Sequence, residues 1–169
     1  MTIADPNIPA PSIAEDEPQL RDLFLFASGN RIFAVPADEV EGTAEAKRPA
    51  PLPHAPVPVL GVVYARGRML TVVEPLALTT EEAGSRPLVV PVIISLSGDE
   101  QLALAAESVV ETITISSADM ENTGANPQSE VSHAIAGILR HGGQTITVID
   151  PSRLFEAAVQ RKDRRRRRF

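Results

Sequence analysis

The 169 residues include no cysteine, 4% aromatic and 43% hydrophobic residues. Disulfides, thiolate metal sites and cysteine nucleophiles are therefore excluded, and the core must be built from Val, Ile, Leu and Ala. The net charge of −6 is split: residues 161–169 carry seven Lys/Arg and one Asp, and the rest nine Lys/Arg against 21 Asp/Glu. An acidic body repels phosphate backbones and anionic lipid, and scarce aromatics remove the stacking platforms that single strands need.

In chain order, residues 1–20 hold four prolines, several acids and little apolar periodicity. They read as a disordered leader, with no basic-then-apolar secretory pattern. Asp22 to Ala27 is a predicted strand, Ser28-Gly29-Asn30 a turn, and Arg31 to Val35 the answering strand. Ala37 to Glu41 reads either as a helical turn or as further strand. Pro49, Pro51, Pro53, Pro56 and Pro58 remove backbone donors, so residues 47–58 are expected as an irregular connection.

Next comes the first copy of a repeat. Gly61 to Pro75 lies without a gap over Gly137 to Pro151, an offset of 76 residues. Both copies order a glycine, an apolar pair, a turn glycine, Thr-Val, an apolar residue, an acid and a proline. Each reads as a β-hairpin followed by a helix start, with Asp150 as N-cap and Pro151 at the first helical position. A lone hairpin cannot bury one face, so two copies imply two small β subdomains packed together. Gly67 and Gly143 are expected at turn positions with φ > 0, and Gly61 and Gly137 where backbones approach closely.

Thr79 to Pro87 is a polar bridge and the expected subdomain boundary. Leu88 to Leu96, Gln101 to Ala106 and Val109 to Ile115 are further predicted strands, and Asn122 to Ser132 a loop. After the second hairpin, Pro151 to Gln160 is a predicted helix with Leu154, Phe155 and Ala158 inward. About ten short strands in two sets close most economically as small barrels, because closure removes exposed edges. No apolar stretch reaches the ~18 residues of a membrane span.

The expected organisation is a leader over 1–20 and one domain over 21–160, followed by a basic tail over 161–169. Within the domain, β subdomains cover about 21–80 and about 86–150, and a terminal helix covers 151–160.

Four stretches in order carry a family resemblance. Gly61-Val62-Val63-Tyr64-Ala65-Arg66-Gly67, Met69 to Leu76, Ala106 to Ile115, and Gly137 to Asp150 with Leu154-Phe155 resemble successive motifs of the CheW-like domain, the chemotaxis coupling fold. The resemblance spans roughly residues 21–158. It implies a mainly all-β fold of two five-stranded SH3-like barrels around a shared core. It also implies no enzymatic activity, no cofactor and no small-molecule substrate. The implied partners are a chemoreceptor signalling tip and the regulatory domain of a CheA-type histidine kinase. That places the chain in the cytoplasm, at the membrane only indirectly, through receptors.

Under the resemblance, Arg66 matches an arginine beside the receptor-contact surface, which pairs with an acid in the segment equivalent to Val35–Thr43. Val35 and Val40 fall on apolar receptor-groove positions, while Gly61 and Gly67 fall on the kinase side or serve turn geometry. The acid's own position is Gly42, which leaves Glu41 or Glu45 as substitutes or the pair missing, and Tyr64-Ala65 replaces Asn-Leu.

His54, His133 and His141 lack metal-ligand spacing, and no Ser-His-Asp or phosphate-loop pattern occurs. The acids Glu15-Asp16-Glu17 and Asp38-Glu39 with Glu41 read as solvated surface. The competing function is a small-barrel nucleic-acid-binding protein using the arginine run Arg161 to Arg168. The −12 body opposes it.

Overall fold

The computed structural model describes residues 19–79, 89–120 and 133–158. The expected leader, the boundary bridge, the loop around 122–132 and the arginine tail lie outside the described residues. The described residues form ten strands and two short α-helices. Strand β1 is Leu20–Ser28, β2 Arg31–Pro36, β3 Val40–Lys47, β4 Val59–Ala65 and β5 Arg68–Val73, followed by helix α1, Leu76–Thr79. Then come β6 Val90–Leu96, β7 Leu102–Ala106, β8 Ser108–Ser116, β9 Ile135–His141 and β10 Gln144–Ile149, followed by helix α2, Pro151–Ala158. The ambiguous stretch after β2 is both things in turn, a 3-10 turn at Ala37–Glu39 and then β3.

The strands form two curled five-stranded sheets, ordered β8-β1-β2-β10-β9 and β3-β6-β7-β5-β4. They are half-barrels of one topology, the two-barrel β fold expected from strand count. Each contains two antiparallel hairpins joined by one parallel pair, β2 with β10 in the first sheet and β5 with β7 in the second.

The expected subdomain limits need correction. Residues about 21–80 and about 86–150 mark the two repeat units, not the two barrels. Each unit gives its first hairpin to one sheet and its remaining three strands to the other. The chain crosses between sheets from β2 to β3, and back again from β7 to β8. Apolar alternation determines which face of a strand is buried but not which neighbour it takes.

The repeat is exact in its hydrogen bonding. In one hairpin Val59 faces Val73 and Gly61 faces Val72, with a bulge between; in the other Ile135 faces Ile149 and Gly137 faces Val148, with the same bulge. The Glu74 amide donates to the Pro58 carbonyl at 2.8 Å, and the Asp150 amide to that of Ala134 at 2.8 Å. Both hairpins close through two-residue turns with positive φ at both positions. These are Arg66 (+54°) and Gly67 (+78°), and Gly142 (+59°) and Gly143 (+77°). That is the twist-matching geometry of a tight β-hairpin. At the α2 start the Asp150 carboxylate accepts from the Ser152 amide at 3.0 Å, as the acid-proline pair predicts.

Three apolar clusters follow from the two sheets. Leu60, Val63, Ala65, Leu70, Val72, Ile93 and Ala103 fill the second barrel, and Leu23, Leu25, Ala34, Ile113, Leu139 and Ile146 the first. Between them lies a shared layer with Phe26, Phe33, Val35, Val73, Ile94, Leu96, Leu104 and Ile149, closed by Leu154 of α2. Phe26 and Phe33 stack at 5.9 Å between ring centroids, so two of the five phenylalanines sit at the layer that joins the barrels. Phe155 packs against its rim.

Candidate interaction surface

The site is built at the mouth of the second barrel. There the β4–β5 turn reaches across to the edge strand β3. A bulge between Val40 and Gly42 sets Glu41 out of register, after which Gly42 faces Ser95 and Ala44 faces Ile93. Ile93 belongs to the barrel's interior cluster, so strand alternation puts Gly42 and Ser95 on the interior side too. Arg68 is opposite Ala65, itself interior, and its guanidinium pairs with the Glu41 carboxylate at the rim.

Glu41 is thus the partner of Arg68, not of Arg66. Arg66 lies instead over Gly42: a Cβ built there would stand 2.5 Å from Cζ and 3.0 Å from Nε of Arg66. The missing side chain is what admits the guanidinium. Arg66 is exposed and makes no ion pair among the described residues, where the pairs are Glu41–Arg68, His133–Glu156 and Asp150–Arg153. Glu45 is exposed and likewise belongs to none of these pairs. Arg68 Nε and Ser95 Oγ are sealed from solvent with no hydrogen-bond partner.

The other expected contact residues part company. Val35 is 0% exposed and lies inside the shared layer, so its apolar side chain near the end of β2 is core packing rather than open surface. Val40 is half-buried against the same layer and keeps one side at the surface. Gly67 is exposed, with open space about it. Gly61 is buried at φ +148°, where a Cβ would stand 2.7 Å from the carbonyl carbon of Ala50. The proline-rich connection lies along β4 there, with Ala50 and Val62 exchanging hydrogen bonds of 2.8 and 2.9 Å.

Sequence reasoning passed over Arg68, Ser95 and the pair Tyr64–Met69. The last two are directly opposed across β4 and β5 and are 65% and 51% exposed. The hairpin pattern, which sets Tyr64 opposite Met69 one pairing step before a tight turn, was the available signal.

A separate groove of about 570 Å³ runs between the start of β1 and the β2–β3 connection, lined by Leu20, Arg21, Asp22, Pro36, Ala37, Asp38 and Glu39. The carboxyl of Glu39 is held above its ordinary range, first by burial and then by Asp38 and Asp150, against a smaller opposing effect of Arg21. Among the described residues no group of His, Asp or Glu could hold a metal ion. Nor is any described helix long and apolar enough to cross a membrane.

Residues 22–159 match the family described as CheW-like domain. The chemotaxis protein CheW of Rhizobium meliloti (strain 1021) is 27% identical over 139 residues, 80% of this chain and 87% of the relative. The crystal structure of the scaffolding protein TtCheW from Thermoanaerobacter tengcongensis superposes with a TM-score of 0.66 at 18% identity, covering 83% of this chain and 91% of that one.

Proposed function

The chain belongs to the CheW-like domain family, and from that premise we propose that it couples a chemoreceptor signalling tip to the regulatory domain of a CheA-type histidine kinase. Members of the family are non-enzymatic scaffolds, so the chain acts by binding. The observation that carries the proposal is a family match running across both barrels, from residue 22 to residue 159.

The receptor face in this reading is the rim of the second barrel, with Arg66 at the turn and Val40 at the start of the edge strand. Gly61 and Gly67 act on the kinase side or through turn geometry in the same reading. Cytoplasmic placement at receptor arrays belongs to the same reading. The polyanion alternative draws no support from the family match, and the arginines it needs lie outside the described residues.

Calorimetry tests the coupling directly. The chain is titrated with the kinase regulatory domain and with a receptor signalling tip. Micromolar affinity, about 8 kcal/mol at the standard state, is expected for each. An absence of heat and of co-elution at high micromolar concentrations with both partners overturns it.

A further inference from the structure

The rim of the second barrel holds more hydrogen-bond donors than it uses. Arg66 and Arg68 both reach β3, where one carboxylate, that of Glu41, answers them and is taken by Arg68. Beneath the rim, Arg68 Nε and the Oγ of Ser95, a residue 1% exposed, have no partner. Buried donors without acceptors are costly, and an uncompensated guanidinium beside them is ready to donate hydrogen bonds to an anion.

The other hairpin acts as an internal control. Gly142 occupies the place of Arg66, and the two backbones are nearly the same, φ +59° and +54°. That conformation is unstrained for glycine and strained for arginine. The turn needs no arginine, so what the strained residue contributes is its side chain.

We propose that Arg66 binds a carboxylate supplied in trans. An Asp or Glu side chain of the protein docked on this hairpin forms, above the bare face of Gly42, the ion pair that no described residue of this chain provides. Arginine's planar fork suits a carboxylate with two parallel hydrogen bonds. The exposed Tyr64–Met69 pair on the same hairpin gives the partner an apolar footing. The identity of that partner as a receptor rests on the reading above; the carboxylate site itself does not.

The test is a nuclear magnetic resonance titration of the full chain with sodium acetate, against sodium chloride at matched ionic strength and against inorganic phosphate. Saturable shifts confined to Gly42, Arg66 and Ser95 are expected. They should be at least tenfold weaker in Arg66→Ala and retained in Arg66→Lys only in weakened form, since an ammonium lacks the planar fork. Shifts equal to those of chloride, or unchanged in Arg66→Ala, overturn the proposal, and a stronger response to phosphate overturns the choice of carboxylate.

With a receptor tip, Arg66→Glu should weaken binding at least tenfold, and one acid-to-arginine exchange on the tip should restore it. If no exchange restores it, the pair in trans is wrong. A receptor tip that fails to bind a chain responsive to acetate removes the receptor and leaves the site.

Discussion

The two barrels share one topology and differ at their hairpin tips and edges. In the first, the β9–β10 turn is Gly142-Gly143, with no side chain at all. In the second, the equivalent turn carries Arg66, Arg68 follows it, and the outer strand β4 is covered by the proline-rich connection through Ala50. One backbone plan thus supports a bare tip and a charged one. The turn geometry comes from the repeat, whereas the interaction chemistry comes from the few positions where the copies diverge.

The harshest test of that comparison asks whether the barrels are separable. Because each repeat unit feeds both sheets and Phe26 lies in the layer between them, they should unfold together. Phe26→Ala should cost about 3–5 kcal/mol. Fluorescence of Tyr64, the single tyrosine, located in the second barrel, should follow the same denaturation curve as far-ultraviolet circular dichroism. Two separate transitions would break the picture of exchanged hairpins.

Next in size is the covered edge. Gly61→Ala places a Cβ against the Ala50 backbone at an unfavourable φ and should cost about 2–3 kcal/mol. Gly142→Ala meets open space and strains the turn alone, so about 1 kcal/mol is expected. Equal losses in chemical denaturation would mean that the connection does not hold β4.

The turn exchange is smaller on stability and opposite in sign on binding. Arg66→Gly copies the first barrel's turn and should raise stability by up to about 1 kcal/mol. It should also weaken receptor-tip binding by about 1–3 kcal/mol. A parallel loss of both would make Arg66 a structural residue.

The smallest effect belongs to Glu39 in the groove. Its raised folded-state pKa means that folding favours the protonated carboxyl. The stability contributed this way is fully present below the unfolded value of 4.5 and is lost as pH rises through the folded value. Glu39→Gln should therefore stabilise at neutral pH by only about a few tenths of a kcal/mol, since solvent screens the site, and change nothing at pH 3. A variant less stable than the parent at pH 7 would reverse the assigned sign.

Local pattern made much of this legible. The 76-residue offset, the glycine turns, the acid-proline helix start and the strand count can be read from residue order alone, because hairpins and caps are set by near neighbours. Tertiary structure alone decided the rest. It paired β2 with β10 from distant parts of the chain, placed Val35 in the core where order allowed a groove, and gave Glu41 to Arg68. It also laid Arg66 on Gly42, a contact that no spacing encodes. A strand's alternation says which of its faces avoids water, and many partner strands satisfy that requirement equally. Only closure of both barrels around one shared layer selects among them.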